Sequence, residues 1–117
     1  INILLMGDAT VNNEDILLKR YNLPKIDILK VGHHGSRTSS SKLFIKDIEP
    51  KISLISSGKN NKYHLPNLDV IQRLKYYGSK VFDTQDNGEL TINLDEEVYI
   101  VYRDNLNQKS LARESVS

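Results

Sequence analysis

Apolar residues fall into short runs separated by polar clusters, and their spacing changes partway along the chain. Residues 3–6 form an apolar run closed by Gly7-Asp8, the pattern of a buried strand. Asn12 and Asn13 can cap a helix over 14–21, which offers Ile16, Leu17 and Leu18 for burial and has Pro24 beyond its end. Residues 26–31 read as a second strand stopped by Gly32. A polar loop over 33–39 leads to a helix over 41–48, with Leu43, Phe44 and Ile48 on one face. Residues 51–55 give a third strand. Over 68–77, Val70, Ile71, Leu74 and Tyr77 recur at helical spacing, with Asn67 as cap and Gly78 at the far end.

From residue 80 the period drops to two. Residues 80–85 and 89–94 flank Asp86-Asn87-Gly88, and Asn-Gly is a strong hairpin signal, so a strand, a tight turn and a strand are expected. Residues 97–102 alternate again. Beyond 104 apolar residues are sparse, which predicts one domain over 1–103 and a loose tail over 104–117. Three strand–helix units followed by antiparallel strands predict an α/β or α+β class: a mixed sheet, helices on one face, and a C-terminal antiparallel hairpin.

Charge and composition narrow the function classes. Sixteen basic and fifteen acidic side chains leave +1, which excludes a nucleic-acid binder working through bulk charge but not one with a local patch. The absence of cysteine excludes disulfides, thiolate zinc sites and a cysteine nucleophile. No apolar run approaches the ~20 residues of a membrane helix. There is no phosphate-binding glycine loop, nucleophile elbow or dinucleotide fingerprint. An opening directly on the strand-like run Ile1-Asn2-Ile3 reads as a piece of a longer polypeptide.

Candidate chemistry sits where the predicted strands end. Asp8 is either a metal-ligating carboxylate or a turn residue bonding its own backbone. His33 and His34 lie between Gly32 and Gly35, so a backbone can approach a ligand closely there. On an extended backbone adjacent imidazoles point to opposite sides, so one can bind metal while the other meets substrate. The run Thr38-Ser39-Ser40-Ser41, with Arg37 beside it, is either an anion site or plain helix capping. The loop 57–66 carries Lys59, Asn61, Lys62, Tyr63 and His64, suited to a phosphate or a stacked base, or simply solvated. Asp8 with one or both histidines supplies two or three ligands, about half of a hydrolytic metal site.

In order along the chain, Leu4-Leu5-Met6-Gly7-Asp8, Lys30-Val31-Gly32-His33-His34-Gly35-Ser36, Gly58-Lys59-Asn60-Asn61 with Tyr63, the stretch 78–84 and Asn87-Gly88 resemble one family. It is the C-terminal part of the metallo-β-lactamase-like domain of the ComEC competence proteins. The resemblance implies the second half of an αββα sandwich and a metal-dependent phosphodiesterase or nuclease within a DNA-uptake channel protein of the bacterial membrane. It implies zinc or manganese in the intact domain, with too few ligands in this stretch alone to secure one.

Carried over by position, the resemblance implies that Asp8 is a metal-ligating and catalytic group, matching the late carboxylate that bridges the metals in superfamily members that hold two. His33 is the metal ligand and His34 the catalytic residue nearest substrate, although spacing does not order the two. Ser36, Arg37, Lys59, Asn61 and His64 are candidates for phosphate contact. Tyr63-His64-Leu65-Pro66 departs from the family's Tyr-Gly-His-Pro, leaving the role of His64 open. The family's His-x-His-x-Asp-His signature is absent here and is expected upstream in a parent protein. The stretch alone is therefore expected to be inert, with a sheet face left open to self-association. Two other readings stand beside this one: a hydrolase of a small phosphoester, and a non-catalytic domain that docks DNA or a partner.

Overall fold

The computed structural model describes residues 1–58, 61–103 and 110–116. Four parallel strands, β1 (Ile3–Leu5), β2 (Ile28–Lys30), β3 (Ile52–Ile55) and β4 (Lys80–Asp83), pair in sequence order. Helices α1 (Val11–Arg20), α2 (Lys42–Ile48) and α3 (Leu68–Tyr76) make the three crossovers. Right-handed crossovers in sequential strand order deliver every helix to the same face. That face is the main core, where Leu29, Val31 and Ile55 from the sheet meet Phe44, Ile45 and Ile48 of α2 and Val70 and Leu74 of α3. The other face receives a separate antiparallel meander, β5 (Thr91–Asn93), β6 (Tyr99–Arg103) and β7 (Leu111–Ser115). Ile100 of β6 packs there against Ile52 and Phe82. No helix among the described residues is long and apolar enough to cross a membrane.

The α/β expectation holds, and its details change in four places. Residues 80–94 are not a hairpin: β4 ends in the parallel sheet, and α4 (Thr84–Asn87) leads to β5 in the other one. Asp83 caps α4 by accepting from the Gln85 amide at 3.0 Å, and the Asn87 side chain accepts from the Asp83 amide at 3.1 Å. Gly88, at φ +66, closes α4 where a hairpin turn was expected. On α2, Ile45 is buried and Leu43 is 64% exposed, so the buried stripe is Phe44, Ile45 and Ile48. Ile16 of α1 is likewise exposed, leaving Leu17 and Leu18 against the core. Residues 111–115 of the expected loose tail form β7, which pairs along β6 from Tyr99↔Ser115 to Arg103↔Leu111. The meander covers β3 and β4 on the open face, while Ile1, Ile3 and Leu5 at the β1 edge stay exposed.

One buried charge ties the helices together. Glu14 of α1 is 1% exposed, and its carboxylate accepts from the backbone amides of Ser40 at 2.5 Å and Ser41 at 2.9 Å. These amides precede α2, so an internal carboxylate fills the place proposed for an external anion. Ser41 caps α2 by accepting from the Phe44 amide. Burial pushes the Glu14 carboxyl above its ordinary value near 4.5, and the Ser41 and Ser40 amides pull it partly back. At the surface the opposite holds for Asp27: the Asn2 amide, at 2.7 Å, is the chief cause that lowers its carboxyl, and Lys51 at 3.2 Å adds to it.

Glu14→Ala strands two buried amides and should cost about 2–4 kcal/mol in urea unfolding. Glu14→Gln isolates the charge. The folded protein holds the Glu14 proton more tightly than the unfolded chain, so wild-type stability relative to Glu14→Gln should fall as pH rises from below 4.5 through the folded-state value. A difference between the two proteins that stays flat with pH would contradict the desolvation account.

Candidate active site

The carboxyl ends of all four parallel strands open onto one edge of the sheet, where ligands bind in layered α/β folds. The β1 end is the Gly7-Asp8 turn, with Gly7 at φ +56. Its Gly7 carbonyl accepts from the His33 amide at 2.8 Å, which joins the β1 and β2 ends. Gly32 is required at this junction, because a Cβ there would lie 2.8 Å from the Ala9 carbonyl oxygen. His33 and His34 both adopt left-handed backbone, at φ 50 and φ 56. Two consecutive non-glycine residues in that region are strained, at a cost of order 1–3 kcal/mol each, and such strain gathers at functional sites. It also overturns the extended geometry assumed for the pair.

Each imidazole has one nitrogen without a hydrogen-bond partner among the described residues. The His34 Nδ1 lies 2.8 Å from the Ser56 carbonyl at the β3 end. A carbonyl only accepts, so Nδ1 carries a hydrogen, and in the neutral ring the lone pair sits on Nε2, the arrangement a ligating or proton-accepting histidine needs. The His33 Nδ1 is buried with no hydrogen-bond partner, which is costly for a polar atom. Both rings therefore offer a donor atom of the type a borderline divalent metal takes. Asp8 is exposed on the neighbouring turn. Among the described residues no three His, Asp or Glu side chains converge as a metal ion requires. The donor types fit a divalent metal, and the set present here is partial.

A second loop faces the histidines. Asn61 staples it: its Nδ2 donates to the Gly58 and Leu65 carbonyls at 2.8 and 2.5 Å, and its Oδ1 accepts from the Leu65 amide at 2.6 Å. Asn61 thus shapes the loop with the amide group that was expected to meet phosphate. Lys59 lies outside the described residues. His64 stands at φ 51, in the conformation glycine adopts freely. The two loops close on each other through Gly35, whose carbonyl accepts from the Asn67 amide at 2.9 Å. Between them lies a cavity of about 610 Å³ lined by His33, Ser36, Arg37, Tyr63 and His64. Ser36 and Thr38 pair through their hydroxyls at 3.0 Å. His34 and Asp8 are not among the residues lining this cavity.

Sequence reasoning missed Asp83. It is buried at the β4 end, accepts from the Ser57 hydroxyl at 2.5 Å, and lines a smaller cavity of about 330 Å³ with His64, Gln85 and Asp86. The signal was available, since Asp83 follows the apolar Val81-Phe82 as Asp8 follows its own apolar run.

No family model matches the chain. Over 92 residues, 79% of its length, it is 41% identical to Recombination protein 2 of Haemophilus influenzae. Over 87 residues, 74% of its length, it is 40% identical to ComE operon protein 3 of Bacillus subtilis. Over 94 residues, 79% of its length, it is 36% identical to Competence protein ComA of Neisseria gonorrhoeae. The chain spans 11%, 11% and 14% of the length of these relatives. It is therefore similar to one region of much longer proteins named for competence and recombination.

The contact between the two loops is testable at Gly35. It sits at φ +76, and an added Cβ would lie 2.6 Å from the Pro66 Cβ. Gly35→Ala should destabilise the protein by about 2 kcal/mol in urea unfolding, through backbone strain and the forced separation of the loops. An unchanged midpoint would show that the loops are not in contact.

Proposed function

We propose that this chain carries the carboxyl-edge part of a metal-dependent phosphodiesterase site that acts on DNA, within a longer protein of competence. The observation that carries the reading is the paired histidine turn. Two adjacent histidines on strained backbone at a parallel strand end each have one ring nitrogen without a hydrogen-bond partner among the described residues, beside a turn bearing Asp8. Relatives named for competence and recombination supply the biological direction.

In this reading Asp8 and His33 hold metal, and ligands outside these residues complete the set. When bound, a divalent metal such as zinc or manganese acidifies water and neutralises charge developing on a phosphate. The residues of this chain do the remaining work. His34, held by the Ser56 carbonyl, presents Nε2 as a proton acceptor or donor near the scissile phosphate. Arg37 and Ser36, on the wall of the larger cavity, contact the phosphate oxygens. The strained turn keeps both rings fixed, so little reorganisation is needed when substrate arrives.

The test uses a polypeptide extended to the length of the relatives, incubated with manganese or zinc and linear DNA. Cleavage should be present in the wild type and lost by a factor of about 100 or more in Asp8→Asn and His34→Ala. The 117-residue chain alone should show no turnover. Metal-dependent cleavage by that chain alone would refute the shared ligand set, and a folded, metal-loaded long form that cuts no DNA would refute the hydrolase reading.

A further inference from the structure

We propose that the larger cavity is a subsite for single-stranded nucleic acid, with Tyr63 as the platform on which an unpaired base stacks. This deepens the DNA-directed reading above and rests on it. Tyr63 is 74% exposed, and among the described residues its ring has the Lys62 ammonium over it, 5.7 Å from the centroid, and no aromatic neighbour. Tyr76, at 81% exposure, is partnered by Tyr77 at 4.9 Å between ring centroids, and neither lines this cavity. Tyr63 does line it, together with His33 and Arg37.

The platform is held in place before any ligand arrives. Asn61 clamps the loop to Leu65 on the far side of Tyr63, the His64 amide donates to the Asn61 carbonyl at 3.2 Å, and Asn67 ties the loop end to Gly35. A rigid exposed aromatic ring loses little entropy when a base settles on it. Its volume of about 610 Å³ falls in the range of small-ligand sites, enough for a nucleotide.

Charge decides between the two neighbouring cavities. The smaller one is lined by Asp83 and Asp86 and repels a phosphate. The larger one has no carboxylate among its lining residues and carries Arg37, while the Lys62 ammonium stands 5.7 Å from the Tyr63 ring centroid. A nucleotide on Tyr63 therefore has cations available to its backbone phosphate, in a cavity that His33 also lines. Only an unpaired base presents a free face to such a ring; in a duplex both faces are stacked within the helix. The site thus selects single strands without reading their sequence.

The probe is a labelled oligothymidylate of about a dozen nucleotides, followed by fluorescence anisotropy in EDTA at low salt. The chain should bind it, and bind a blunt duplex of equal length more weakly. Tyr63→Ala should weaken single-strand binding about ten-fold, while Tyr63→Phe keeps it within about two-fold, because the ring rather than the hydroxyl stacks. Tyr63 is exposed, so the thermal midpoint of either variant should match the wild type. Arg37→Ala should lower the slope of log affinity against log salt by about one. Absence of single-strand binding, wild-type affinity in Tyr63→Ala, or equal affinity for the duplex would each overturn the proposal. EDTA removes any metal step, so loss of this binding counts against the platform alone. Intact binding with no metal-dependent cleavage by the long form counts against the hydrolase reading alone.

Discussion

The Glu14 carboxylate, held under α1 and bonded to the Ser40 and Ser41 amides, is the constraint on which the site depends. It fixes the end of the segment that begins at the histidine turn. Along that segment Ser39 is fully buried, and its one hydroxyl hydrogen is shared between the Gly32 and Ser36 carbonyls, both at 2.9 Å. The Ser40 carbonyl accepts from Arg73 of α3 at 2.7 Å. Residues 32–41 are thereby tied to α1, α2 and α3 together. Such over-determination lets His33, His34 and Ser40 all stand at positive φ. Without it the turn would relax, and the nitrogen of His34 would lose its aim.

Sheet topology does the rest of the positioning. Sequential parallel order sends every chain crossing to one face and every strand end to one edge. The four ends then bond to one another: Gly7 with His33, Ser56 with His34, and Ser57 with Asp83 and Thr84. An edge cross-linked in this way behaves as one rigid rim. The antiparallel meander packs behind the sheet, on Ile52 and Phe82, and supports β3 and β4 from the face opposite the helices.

Much of this was legible in the sequence. Strand runs at 3–6, 26–31 and 51–55, and the helix behind Asn67, follow from apolar period and caps and recur with shifts of one or two residues at most ends. Asn87-Gly88 misled because a side chain outside the pattern, Asp83, claims the turn for a helix. β7 was invisible because only Leu111 and Ala112 of its five residues are apolar and none of the five is fully buried, so no alternation of apolar residues marks it. At the site, the strand-end polar clusters were readable, but backbone conformation was not: nothing in Gly32-His33-His34-Gly35 announces two left-handed histidines. Glu14 had left a trace, as a charge at helical spacing from Val11, Leu17 and Leu18 on the apolar stripe of α1.

His64 shows how conformation can explain a departure that sequence alone leaves open. It stands at φ 51, where glycine is unstrained and a side chain is not, which fits the glycine expected there from the resemblance. Asn61 spans the position from both sides, so the loop keeps its shape despite that cost. The added imidazole then falls on the wall shared by the two cavities, one lined by Asp83 and Asp86 and the other by Arg37. A ring at that boundary meets opposite electrostatic preferences on its two sides. Its place follows from the turn geometry, and not from being the next residue in a catalytic string.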